Sequence, residues 1–162
     1  MSDSSFEARH VCLTTDQPFE EVAAALVRQL GRFDPEIMRQ ALMIRDPAQA
    51  KAKIESMAGE SGFMLFGTSD HGMLLGLTGR PRKAVQFIVG NPAIDLKMTQ
   101  HDVRAGLYAP LRVLLYENES GQTCFEYDKP SSLFGQFGNA DITPTATLLD
   151  EKLETLAANA MG

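Results

Sequence analysis

The spacing of apolar residues near the start of the chain predicts a strand followed by an amphipathic helix. Residues 9–14 have the composition of a short strand. Pro18 suits a first helical position, because its missing N–H would have no helical partner there. Apolar side chains then recur every three or four residues from Phe19 to Leu30, and Gly31 follows as a stop signal.

Two Asp-Pro steps predict two further helices before the first strongly apolar strand. Asp34 and Asp46 each precede a proline, and Gln49 is placed to complete a capping box in the second segment. Both segments carry apolar residues on one side. We therefore predict that they cover one face of a sheet.

The pattern changes to strand-length apolar runs in the middle of the chain. Runs at 62–68 and 73–78 flank the turn 69–72 and predict a hairpin, and residues 84–89 form a third strand. Asn91 is followed by proline and predicts a helix that extends to about Arg104.

The last third of the chain predicts a second hairpin and a final helix. Two strands, 111–117 and 123–127, are joined by a polar turn, and a helix begins at Thr143. Strands and helices are partly segregated and hairpins predominate. The predicted class is therefore α+β, with a mainly antiparallel sheet of about five to six strands and helices packed on one face.

Length and charge restrict the class of protein. The 162 residues fit a single domain, 1–162, in which residues 1–8 are a polar tail that we expect to be flexible. A net charge of −6 with no concentrated Lys/Arg stretch disfavours nucleic acid as a partner. We expect no membrane association, because no apolar run approaches the roughly 20 residues of a membrane span. The absence of a signal-peptide pattern and the two isolated cysteines favour a cytoplasmic protein with free thiols.

Several segments of the chain resemble a known family. The first helix (PFEEVAAAL), the strand end FIVGNP, and LYAPLRVLLY followed by FEYDKP resemble the bacterial family catalogued as domain of unknown function 302. The resemblance implies a compact α+β domain, usually cytoplasmic and often self-associating, with no established activity. Residues 32–60 depart from the usual pattern and are interpreted as a helical insertion.

Basic residues and one helix start make up the candidate ligand site. If the strands lie side by side, free N–H groups at the helix start and nearby guanidinium groups would suit a carboxylate or phosphate. The alternative is that the basic residues belong to a solvated loop that keeps the strands soluble. The candidate ligand-binding residues are Arg80, Arg82, Lys83, Asn91, His101, Arg104 and Arg112.

His101 supports a second hypothesis, in which the protein is an enzyme. It could act as a general acid or base beside Arg112 or Tyr116. Alternatively, its role is structural, because a cation near a helix C-terminus interacts favourably with the helix dipole. No catalytic residue can be assigned from a motif, because the chain has no GxSxG, Walker A or GxGxxG pattern.

The sequence assigns no cofactor and leaves a metal ion and haem as alternatives. His10 and Cys12 share one face of their strand, and Cys124 could join them only if its strand lay alongside. Because these residues make at best part of a zinc site, no metal site is predicted. Haem is an alternative, with Met98 or His101 as axial ligand and arginines at the propionates.

A third hypothesis is an interaction module, and a homo-oligomer is the expected assembly. Phe134 and Phe137 lie three residues apart among small residues and could anchor a partner, or pack locally under the last helix. Of the three hypotheses, we favour an uncharacterised domain that binds a small or anionic ligand without established catalysis.

Overall fold

A computed structural model describes residues 3–162, and within them the chain forms one six-stranded sheet with seven α-helices. Of the predicted tail, Met1 and Ser2 lie outside the described residues. The strands are β1 His10–Thr15, β2 Gly31–Arg32, β3 Met64–Asp70, β4 Ala84–Gly90, β5 Leu111–Glu117 and β6 Thr123–Asp128. The helices are α1 Phe19–Gln29, α2 Pro35–Leu42, α3 Pro47–Glu55, α4 His71–Leu75, α5 Pro92–Thr99, α6 Pro130–Gly135 and α7 Thr143–Met161.

The sheet has the order β1-β6-β5-β4-β3-β2 and is antiparallel except for the short β2–β3 pair. The chain thus places its first strand at one edge, beside β6, and its second strand at the other. The predicted α+β class with a mainly antiparallel sheet is confirmed. The predicted hairpin of β5 and β6 is also present, with a turn that contains Gly121 at positive φ.

The main core lies between one face of the sheet and the helices α1, α5, α6 and α7. Alternate residues of each central strand enter it, because successive side chains of a strand point to opposite faces. Phe87 of β4, Val113 of β5 and Phe125 of β6 are buried there, against Leu26 of α1 and Leu153 of α7.

A second, smaller apolar cluster forms under α2 and α3. Ala41 and Ile54 of these helices pack with Met64 of β3 and Ala93 of α5. The predicted helix starts are confirmed, because the carboxylates of Asp34 and Asp46 accept hydrogen bonds from backbone N–H groups of the first turns.

The predicted hairpin at 62–78 is wrong in its second half. The segment after β3 folds into α4 and a 3-10 turn, and β3 pairs with β4 instead. Asp70 explains the difference, because its carboxylate caps the new helix by accepting from the N–H of Met73 at 2.7 Å. The apolar residues of this segment are therefore not buried strand residues, and Met73 and Leu77 are 74% and 87% exposed.

The helix that begins at Asn91 is shorter than predicted, and a small strand was missed. It ends at Thr99, and Asp102 caps a separate 3-10 turn, Val103–Leu107, by accepting from the N–H of Arg104. The missed strand is β2. Gly31 is required there because a Cβ atom would collide with the carbonyl oxygen of Met57.

None of the helices within residues 3–162 combines the length and apolar character needed to cross a membrane.

Candidate functional site

One face of the central strands is not covered by the main helical layer. Alternation along the strands directs Gln86 of β4, Leu114 and Tyr116 of β5, and Glu126 of β6 to this open face. All four side chains are half-buried. The open face is thus partly enclosed, and α4 is the element that encloses one side of it.

A cavity of about 470 Å³ lies between α4 and the open face. Helix α4 is held against β4 by a close approach at Gly72, where a Cβ atom would collide with the Arg82 carbonyl oxygen and come within 2.8 Å of the Ala84 nitrogen. We name this volume the sheet-face cavity. It is lined by His71, Leu75, Arg82, Lys83, Ala84, Gln86, Leu114, Tyr116, Glu117 and Glu126.

Two predicted ligand-binding residues, Arg82 and Lys83, lie at the rim of this cavity. Arg82 donates to Glu119 at 3.2 Å. The ammonium group of Lys83 lies 3.0 Å from Glu20 and 3.3 Å from Glu117, and the hydrogen bond to Glu20 is the main cause that raises the pKa of Lys83. Both cations are solvent-exposed, so these pairs restrain them only weakly.

A chain of hydrogen bonds connects the floor of the cavity to the sheet edge. The Tyr116 hydroxyl donates to Glu126 Oε1 at 2.6 Å, and Glu126 Oε2 lies 3.1 Å from His10 Nε2. His10 Nδ1 lies 3.1 Å from Asp128 Oδ1. The bond from Tyr116 lowers the pKa of Glu126, and the bonds to Asp128 and then Glu126 raise the pKa of His10. The imidazole between two carboxylates therefore favours its charged form.

Asn91 is remote from Arg82 and Lys83, because it follows the opposite end of β4. Seven strand residues separate the two ends, which corresponds to about 23 Å. The Asn91 side chain is already engaged: its oxygen accepts from Ala93 N–H at 3.0 Å and its amide donates to the Gly62 carbonyl at 2.9 Å. The structure therefore gives Asn91 a local capping contact and does not bring it together with the basic rim.

The remaining predicted site residues are distributed over the surface. Arg80 is exposed in the loop before β4. Arg104 pairs with Asp102 at 2.6 Å and lies over the Phe137 ring, and His101 Nδ1 is 3.8 Å from Asp141. Arg112 is exposed near the Asn91 end of the open face, where its strand partner is Ile88. Only two of the seven residues thus share the sheet-face cavity.

Two residues proposed for alternative roles are in the core. Met98 is 0% exposed among the apolar residues of the main core, so its thioether is not available to a haem on the surface. Phe134 is 1% exposed and packs edge-on against Tyr108, which removes it as an exposed anchor for a partner. Local packing under α7 is the alternative that the contacts support.

A second cavity, of about 800 Å³, lies on the helical side between α1 and α7. Its lining is mainly polar and includes Arg28, Glu60 and Glu151. Lys152 donates to the Ser61 carbonyl at 3.1 Å and lies over the Phe63 ring, so it is fixed as part of the packing between α7 and the loop before β3. The charges of these four residues balance, and a larger share of this lining is polar than in the sheet-face cavity.

Sequence reasoning missed most of the residues that line the sheet-face cavity. Gln86 and Glu126 are polar residues inside otherwise apolar strands, and this interruption is the signal that could have identified them. His71 was assigned to a turn, because its helix was interpreted as a strand. Tyr116 was considered only as a neighbour of His101, from which the sheet separates it.

The sequence comparison assigns the family. The model of the family described as "Domain of unknown function DUF302" matches residues 38–160, which is well over half of the chain. The chain belongs to the DUF302 family. The matched range spans α3 and much of the 32–60 segment, whose interpretation as an insertion stays a prediction.

A solved structure supports the fold of this DUF302 chain. This chain is similar to the crystal structure of an uncharacterised conserved DUF302 protein from Bacillus stearothermophilus, with a TM-score of 0.66 at 16% sequence identity. The similarity covers 93% of this chain and 97% of that protein. No curated protein matches the chain. At this identity the likeness supports the fold, and the function has to be argued from the site.

Proposed function

We propose that this chain binds a small organic ligand, with an apolar body and an anionic or polar group, in the sheet-face cavity. The observation that carries the proposal is the composition of its lining. Leu75, Ala84 and Leu114 provide apolar surface, while His71 and Gln86 make no side-chain hydrogen bond within residues 3–162. A volume of about 470 Å³ lies in the range of small-molecule sites, about 300–1,000 Å³.

Arg82 is the rim residue that suits a ligand with a negative group. It pairs with the exposed carboxylate of Glu119, and surface pairs of this kind add little to stability. A ligand carboxylate could replace Glu119 beside Arg82 at little cost. The guanidinium group would then supply a planar pair of donors to the ligand.

Binding without turnover fits the chemistry of the lining. The Tyr116 hydroxyl already donates a hydrogen bond to Glu126, and this bond lowers the pKa of Glu126 and makes the carboxylate a weaker base. His101, the residue of the enzyme hypothesis, does not line this cavity. The proposal therefore assigns recognition, and no reaction step, to these residues.

Nuclear magnetic resonance titration with phenylacetate and phenylacetamide tests this proposal. Both probes have the same apolar ring, and only phenylacetate carries a charge. We expect both to shift the amide signals of Ala84, Gln86 and Leu114, with phenylacetate binding more tightly. In the Arg82→Gln variant, the ratio of the Kd of phenylacetamide to that of phenylacetate should fall by up to about fivefold, which corresponds to the free energy of one exposed ion pair.

Arg112→Gln is the matched control, because Arg112 is an exposed arginine on the same face at the other end of β5. It should leave both affinities unchanged. If phenylacetate instead shifts signals around Arg112 and Asn91, or if Arg82→Gln has no effect on its affinity, the sheet-face cavity is not the anion site.

Self-association is a second candidate, favoured by one observation. Met73, Leu74 and Leu77 expose 74%, 62% and 87% of their surface on the segment beside the cavity. Neighbouring exposed apolar side chains of this kind suit a contact with a second copy. Light scattering on a Met73→Ser, Leu77→Ser variant should show a smaller species than the parent chain.

The control for that measurement is a Val103→Ser, Leu107→Ser variant. These two residues are 83% and 80% exposed on a different surface. Equal effects of the two double variants, or no effect of either, would count against a specific contact through the 73–77 segment.

A further inference from the structure

The two cysteines of the chain are brought together on the open face of the sheet. Strands β1 and β6 are neighbours, with Cys12 opposite Glu126 and Thr14 opposite Cys124. Cys12 and Cys124 are therefore diagonal neighbours on one face. Cys12 is exposed, whereas Cys124 is only 2% exposed. The pair has one accessible sulfur and one buried sulfur. Because β6 lies alongside β1, Cys124 meets the condition for lying near Cys12.

The spacing of the two cysteines on neighbouring strands suits a bridging ion better than a disulfide bond. Diagonal strand neighbours have Cα atoms about 7–8 Å apart, whereas most disulfides need about 4.4–6.8 Å. An ion with two metal–sulfur bonds of about 2.3 Å holds its sulfurs up to about 4.6 Å apart.

The neighbours of the pair restrict which ion could bind. Within residues 3–162, no group of three or more His, Cys, Asp or Glu side chains could hold a metal ion. His10 is also engaged, because both ring nitrogens contact carboxylates. Structural zinc needs four ligands and has no such set here. Soft thiolate ligands select copper(I), which also accepts linear coordination by two ligands.

We propose that Cys12 and Cys124 together bind one soft monovalent cation of the copper(I) class. Each thiol releases its proton to solvent and forms one bond to the ion, and no atom changes oxidation state. The resulting two-thiolate complex has a charge of −1. This site lies beside the sheet-face cavity, because the strand partners of Cys12 and Cys124, Glu126 and Tyr116, line that cavity.

Anaerobic titration of the reduced full-length protein with copper(I) in competition with bicinchoninate tests the proposal. We expect one copper per chain and thiolate-to-copper absorption in the ultraviolet. Cys12→Ser and Cys124→Ala should each weaken binding by about a hundredfold, because two ligands on one scaffold act as a chelate. Cys12 is exposed, so its variant tests the site without disturbing the core.

Met43→Leu is the control for binding through an exposed thioether, because Met43 is 78% exposed, and it should leave the affinity unchanged. The proposal is overturned if the parent chain fails to compete with bicinchoninate, or if Cys12→Ser keeps the parental affinity. A copper-to-protein ratio that stays at one in the variant lacking both thiols would also overturn it.

Discussion

At the scale of single residues, Asp95 is the acidic group whose ionisation should affect stability most. It lies in the first turn of α5, where desolvation raises its pKa from 3.8 to about 7. Because the folded protein holds this proton more tightly than the unfolded chain, protonation stabilises the fold. That contribution is complete below about pH 4 and is lost as pH rises through about 7.

We predict that Asp95→Asn stabilises the protein above pH 7 and flattens its stability between about pH 4 and 7. The gain should be about 1 kcal/mol, because partial solvent exposure and the helix N-terminus both favour the charged form and reduce the effect. Urea unfolding across this pH range measures it. Glu151→Gln on α7 controls for the loss of one negative charge, and identical profiles for the two variants would contradict the prediction.

Asn91 has a structural contact where the sequence predicted a ligand contact. It was expected at an anion site, and its amide instead joins the start of α5 to the loop before β3 through two hydrogen bonds. Asn91→Ala should therefore lower the free energy of unfolding by about 2 kcal/mol, since it removes a helix cap and leaves the half-buried Gly62 carbonyl without its donor.

Asp34→Ala is the comparison for Asn91→Ala in thermal unfolding. Asp34 is half-buried, and within residues 3–162 its side chain accepts hydrogen bonds only from backbone N–H groups of α2. Its loss should cost about 1 kcal/mol. An equal loss in the two variants would mean that the bond from Asn91 to Gly62 adds nothing to stability.

At the scale of elements, α4 determines whether the sheet-face cavity exists. The helix has only five residues, and the close approach at Gly72 lets its backbone rest on the start of β4. Gly72→Ala should displace α4, lower stability by about 1–3 kcal/mol, and weaken phenylacetate binding by removing the wall formed by His71 and Leu75.

Gly76→Ala is the matched control for Gly72→Ala. Gly76 directly follows the same helix, and a Cβ atom there would meet nothing within 4 Å. The Gly76→Ala variant should keep the free energy of unfolding and the affinity for phenylacetate of the parent chain. Equal responses of both glycine variants would show that α4 is not held by the approach at Gly72.

At the scale of the whole molecule, the two apolar clusters should differ in stability. The main core joins the central strands to α1 and α7, while the smaller cluster under α2 and α3 has five buried residues. Leu153→Ala should cost about 3 kcal/mol, because it opens a cavity in the main core. Ile54→Ala, at the rim of the smaller cluster, should cost less.

Native-state hydrogen exchange measures the same difference without mutation. Amides of α2 and α3 should exchange through a local opening, before those of β5, β6 and α7. Uniform protection across the chain, or a larger loss of stability from Ile54→Ala than from Leu153→Ala, would show that both clusters unfold as one unit.

Local sequence determined most of the secondary structure and the fold class. Asp34, Asp46 and Asn91 cap helices where the proline steps predicted them, because caps and turns depend on residues only a few positions apart. Apolar periodicity likewise identified α1, β4 and α7. These features were predictable, since the interactions that produce them lie within one or two turns of chain.

Tertiary structure decided the site. Strand order set Cys12 of β1 beside Cys124 of β6, two strands from distant parts of the chain. The same packing made the apolar run 73–77 an exposed segment beside a cavity. Each of these outcomes depends on how distant segments pair and pack, and the pattern of one segment does not specify its partner.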